Sequence, residues 1–111
     1  FKDKTIHSYD VFDSTYMELL KIAMDTPSFR NLELTQQYEV AFSGDQKIRY
    51  ELYAFMSWNF CETVFDKQDK ELMKTWQVII KTESQLHAKW FENPSNNSRF
   101  KESFRKYIHG L

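Results

Sequence analysis

Residues Ser43 to Asp66 read SGDQKIRYELYAFMSWNFCETVFD, and this stretch decides the fold. After Gly44 it contains no helix breaker. Wound at about 100° per residue, Tyr50, Tyr53, Ala54, Trp58, Phe60, Cys61, Val64 and Phe65 fall on one wide arc. Ile48, Leu52, Phe55 and Met56 form a second, shorter stripe on the opposite side. A half-buried strand would instead alternate apolar and polar residues with period two. Ser43 followed three residues later by Gln46 is a capping-box pattern, which marks the helix start. A helix apolar on two sides has to bury both. The segment is therefore expected to be central, or a core helix that also carries an interface. Ile48, Leu52, Phe55, Met56 and Trp58 are the candidate partner-binding residues.

Working upstream, Ser8 to Asp25 carries Tyr9, Phe12, Tyr16, Leu19, Leu20 and Ala23 at spacings of three and four, one buried stripe. Pro27 stops this helix, because the residue before a proline is pushed out of the α region. Residues 1–7 read as an N-terminal tail or linker. Ser28 to Phe42, with Asn31 and Thr35 as caps, reads as a compact excursion with short helical turns. Downstream, Asp69 to Phe91 places Leu72, Trp76, Ile79, Ile80, Glu83, Leu86 and Trp90 on a stripe with bundle-like spacing. A break is expected at Thr82–Ser84, where cap-prone and weakly helical residues meet. Glu92 to Asn97 reads as a loop. Ser98 to His109 forms a last helix with Phe100, Phe104, Tyr107 and Ile108 inward and Gly110 as its C-cap. The pattern predicts an all-α, antiparallel four-helix bundle with a short extra helical excursion between helices 1 and 2, a single domain over 1–111.

Composition agrees. With 111 residues there is room for one core. Only two Gly and two Pro are present, too few for a sandwich whose turns recur about every 8–12 residues. A formal net charge of −1 supplies no global attraction to nucleic acid or acidic membranes. The lone Cys61 excludes an internal disulfide and a Cys-based zinc site, and favours a reducing, cytoplasmic side. No run of about 18 apolar residues is present. The pair Lys2 and Lys4 suits the flank of a membrane helix lying upstream of Phe1. Aromatic residues reach 17%, more than a small core strictly needs; they read first as bulky fillers of four helices, and second as a partner or self-association groove beside the second helix.

Few residues suggest chemistry. Glu83 lies on an apolar stripe with His87 one turn on, a pair that shares a helix face and can bind a metal or exchange a proton. Asp10 and Asp13 on the first helix could in principle approach them. The blander reading makes Glu83 a helix kink, or a carboxylate bonded to a buried Tyr, Trp or His. The Glu-x-x-His pair of di-iron bundles is absent, so no metal or other cofactor is called for. Of His7, His87 and His109, two are expected to face solvent and one to pack on aromatics. Arg105 and His109 are similar to the Arg…His pair of helical ribonucleases, with a shorter interval. Arg99, Lys101, Arg105 and Lys106 make the one locally basic face. Asn96-Asn97-Ser98 is a formal glycosylation acceptor, and Cys61 an inert buried thiol.

Together, Ala23-Met-Asp-Thr-Pro-Ser-Phe-Arg30, Tyr50 to Phe65, Trp76, Trp90-Phe91 and Phe100…Phe104 resemble a loose group of uncharacterised bacterial helical-bundle domains. Members often follow one N-terminal transmembrane helix. The resemblance implies a bundle tethered to a membrane before Phe1, with no catalytic residues. The leading expectation is thus a non-enzymatic interaction or regulatory module binding a protein partner or itself. A ligand- or metal-binding sensor around Glu83 and His87 comes second, and a nuclease using Arg105 and His109 third.

Overall fold

The computed structural model describes residues 2–111, with side chains described from Val11 onward. The described chain is all-α, without a strand. Its elements are α1 (Lys2–Asp25), a 3-10 turn (Pro27–Arg30), α2 (Leu32–Thr35), α3 (Tyr38–Ala41), α4 (Gly44–Asp66), α5 (Lys70–Leu86), α6 (Ala88–Glu92), α7 (Pro94–Asn97) and α8 (Glu102–His109). No helix among the described residues is long and apolar enough to cross a membrane.

Local chemistry sets most boundaries. Pro27 opens the 3-10 turn as α1 ends. Asn31, Asp69 and Asn93 each accept a hydrogen bond from a backbone N–H of the helix they precede, at 3.3, 3.0 and 3.0 Å. The expected capping box at Ser43 does not form: its side chain makes no cap bond. Gly44 instead enters α4 at φ +56, a left-handed value that glycine adopts without cost. Gly110 ends α8 at φ −89, so its left-handed freedom goes unused.

Four sequence expectations shift. Helix α1 starts at Lys2, six residues before Ser8 and through the stretch read as a tail. The break in the third helix falls at His87, not at Thr82–Ser84. There the Leu86 carbonyl accepts the Thr35 hydroxyl at 2.7 Å, and the His87 carbonyl accepts the Trp58 indole N–H at 3.1 Å. At Leu86 the tertiary donor takes the place of a helical one, while the His87 carbonyl keeps the Phe91 N–H at 3.4 Å beside the indole; a scan for cap-prone residues cannot see either contact. The supposed loop holds α7, because Asn93 caps it and Pro94 supplies its first residue. Helix α8 begins at Glu102 rather than Ser98, leaving Arg99 and Phe100 in the preceding connection.

The arc of α4 forms the centre of the core. Phe60 packs on Phe12 and Tyr16 of α1 and on Trp76 of α5. Tyr50 and Tyr53 pack on Phe29 of the 3-10 turn and on His87. Trp58 stacks on Phe91 at 3.8 Å and meets Phe104 of α8 edge-on. Among the described residues the aromatic excess is core material: no Phe, Tyr or Trp of them is among the strongly exposed large apolar residues. Offset and edge-on ring pairs add about 0.5–1.5 kcal/mol each beyond area burial.

Candidate functional site

Two regions hold the main candidates: a polar cluster beside α5 with a buried carboxylate and imidazole at its centre, and the outward face of α4.

Glu83 is 2% exposed. Its Oε1 accepts from the Arg30 guanidinium at 2.8 Å, and its Oε2 from the Tyr16 hydroxyl at 2.8 Å. Arg30 also donates to the Tyr53 hydroxyl at 3.4 Å. The cluster thus ties α1, the 3-10 turn, α4 and α5 around one carboxylate. Burial, the Glu83 charge and their hydrogen bond hold the Tyr16 phenol well above its ordinary range. Burial works against the charged Arg30, but the hydrogen bond and charge of Glu83 outweigh it and raise its pKa further. One guanidinium N–H on Oε1 and one phenol on Oε2 thus give both oxygens of the buried carboxylate a partner.

His87 completes the cluster. It is 0% exposed, and its Nδ1 lies 2.7 Å from the Tyr50 hydroxyl. That phenol is buried and finds no other partner, so its O–H donates to Nδ1. The ring proton then sits on Nε2, which points towards Glu83 Oε1 at 3.8 Å and makes no hydrogen bond. Burial, with the Arg30 charge second, pushes the His87 pKa down to about 3, so the ring is neutral. Burial likewise raises the Tyr50 phenol and the Cys61 thiol, the latter fully enclosed.

Glu83 and His87 do come together, as their spacing implies, but within a core closed to solvent. Both carboxylate oxygens are engaged, and a cation there would have to displace Arg30. Among the described residues no group of three His, Cys, Asp or Glu side chains gathers to hold a metal. Asp13 is exposed and takes no part, and the Asp10 side chain lies outside the described residues. Sequence reading reached the Tyr–carboxylate bond as a type but missed Arg30, Tyr50 and Tyr53. The available signal was an arginine closing the proline corner, three residues after Pro27.

On α4, the second stripe splits. Ile48, Leu52 and Met56 are 56%, 59% and 42% exposed, while Phe55 is half-buried under the Arg99 guanidinium, 5.6 Å from its ring centre. Trp58 is corrected: at 2% exposure it belongs to the core, because it lies on the arc that faces α6 and α8. Beside this face a cleft of about 420 Å³ runs between α1 and α4, lined by Val11, Phe12, Thr15, Phe55, Met56 and Phe60. So α4 buries one apolar side and leaves the other partly open.

The remaining motifs are mostly absorbed by the fold. Lys101 pairs with Asp66 at 2.6 Å and Lys106 with Glu102 at 3.1 Å, so half of the basic face is neutralised. Asn96 is buried, and its Nδ2 donates to the Trp90 carbonyl at 2.8 Å, which blocks the glycosylation acceptor in the folded chain. His109 is exposed, His87 is core, and the His7 side chain lies outside the described residues. No protein-family model matches the chain, and neither a curated protein nor a solved structure is detectably similar to it.

Proposed function

We propose that the chain is a non-enzymatic interaction module that associates through the open face of α4, with a helix of a second copy as the occupant. The observation that carries this is the row Ile48, Leu52 and Met56, exposed at four-residue spacing beside the α1–α4 cleft. One helix face with anchors at i, i+4 and i+8 is the pattern of a helix laid into a groove. A net charge of −1 opposes self-approach very little. The non-enzymatic part is supported by Glu83 and His87: both are buried, Glu83 bonded to Arg30 and Tyr16 and His87 to Tyr50, away from any substrate in solvent.

The accompanying architecture is an antiparallel four-helix bundle built from α1, α4, α5 and the unit ending in α8. The order of contacts supports it. Phe60, late in α4, meets Phe12, midway along α1, and Trp76 in the first half of α5. Tyr53, earlier in α4, meets Arg30 beyond the end of α1 and His87 beyond the end of α5.

Sedimentation velocity over a concentration series tests the reading. The wild type shifts from monomer to dimer with rising concentration, and Leu52→Lys with Met56→Lys stays monomeric. These exposed positions leave folding stability within about 0.5 kcal/mol. A wild type that remains strictly monomeric at the highest concentration sinks the proposal.

A further inference from the structure

We infer that the cleft bounded by α5, α6 and α8 binds an amphiphilic organic anion, an apolar body bearing one carboxylate or phosphate head. This site is separate from the open face of α4 and does not depend on it.

The larger chamber measures about 520 Å³, within the range of small-molecule pockets. Its floor is the stacked pair Trp58 and Phe91, and Ala88 and Ile108 add apolar wall. A flat ring or an alkyl chain is the body that such a surface accepts. A smaller chamber of about 350 Å³ adjoins it, sharing Phe91, Asn97 and His109 and adding Arg105.

The charges around the two chambers do not cancel. Their carboxylates are already engaged, Glu92 by Lys89 at 3.7 Å and Glu102 by Lys106 at 3.1 Å. Lys81 and Arg105 have no ion-pair partner among the described residues, and His109 adds a ring nitrogen that can hydrogen-bond. Arg105 and His109 stand four residues apart on α8, hence on one face. The Arg105 Nε is buried and finds no acceptor. Arg105 itself is part-exposed and lines the smaller chamber, where an anionic head meets its guanidinium. The planar guanidinium matches carboxylate and phosphate oxygens two at a time.

The test titrates the full chain with 8-anilinonaphthalene-1-sulfonate, an apolar anion whose fluorescence rises on binding. Saturable one-to-one binding is expected at roughly tens of micromolar. Arg105→Gln weakens it about tenfold, the loss of one charge-assisted contact. Lys81→Gln weakens it less, and both variants keep the wild-type melting temperature. Leu52→Lys, on the other apolar face, leaves binding unchanged. Competition with dodecanoate and with phenyl phosphate then separates the two head groups, and displacement by either supports the site. Binding unaltered in Arg105→Gln and Lys81→Gln, binding abolished by Leu52→Lys, or displacement by neither competitor overturns it.

Discussion

Replacing Arg30 by Met tests the central energetic claim, that Glu83 is tolerated in the core because a guanidinium and a phenol hold it. Glu83 is 2% exposed, and Arg30 keeps 26% of its side-chain surface in solvent. Removing one partner of a buried ion pair strands the other charge and costs about 3–5 kcal/mol. The solvent contact of Arg30 and the surviving Tyr16 bond at 2.8 Å place the expected loss at the lower end, about 3 kcal/mol. For a chain of this size that is a fall in melting temperature of roughly 10–15 °C. Urea and thermal unfolding followed by circular dichroism would measure it. The companion Arg30→Met with Glu83→Leu removes both charges and recovers at least half of the loss, since swapping a buried pair for apolar residues is often near neutral. A single variant within about 1 kcal/mol of wild type, or a double variant less stable than the single, would refute the reasoning.

The depressed His87 pKa makes stability pH-dependent with a definite sign. The ring stays neutral in the fold down to about 3, whereas the unfolded ring takes up its proton near 6.5. Its contribution is complete above the unfolded value and falls with acidification between the two, by about 1.4 kcal/mol per pH unit at most. Unfolding free energies measured from pH 7 to 4 should show a shallower fall in His87→Gln than in wild type. Tyr50→Phe strands the buried Nδ1 and is expected to cost about 1–3 kcal/mol by urea unfolding. Phe104→Ala empties a fully buried ring site against Trp58 and Phe91. It should cost about 3–5 kcal/mol, seen as a lower urea midpoint with an unchanged slope.

Glu83 shows how far the sequence reaches towards a site. Its place on an apolar stripe, one turn from His87, marked it as a buried polar group in need of a partner. Arg30 was invisible as that partner because 53 residues separate the two. Chain spacing carries no information about which distant side chain closes a bond. The same limit misplaced the break in the third helix, where Thr35 from a distant segment donates to the Leu86 carbonyl.

Helical periodicity and scarce breakers by themselves determined that this chain is all-α, and the arc of α4 that would be buried, because both follow from residue spacing along a single helix. Only the tertiary structure decided that Ile48, Leu52 and Met56 stay open while Trp58 is enclosed. Amphipathicity says which faces avoid water, but coverage depends on how many neighbouring helices arrive and from which side. The neighbours of α4 cover one apolar side and leave the other partly bare.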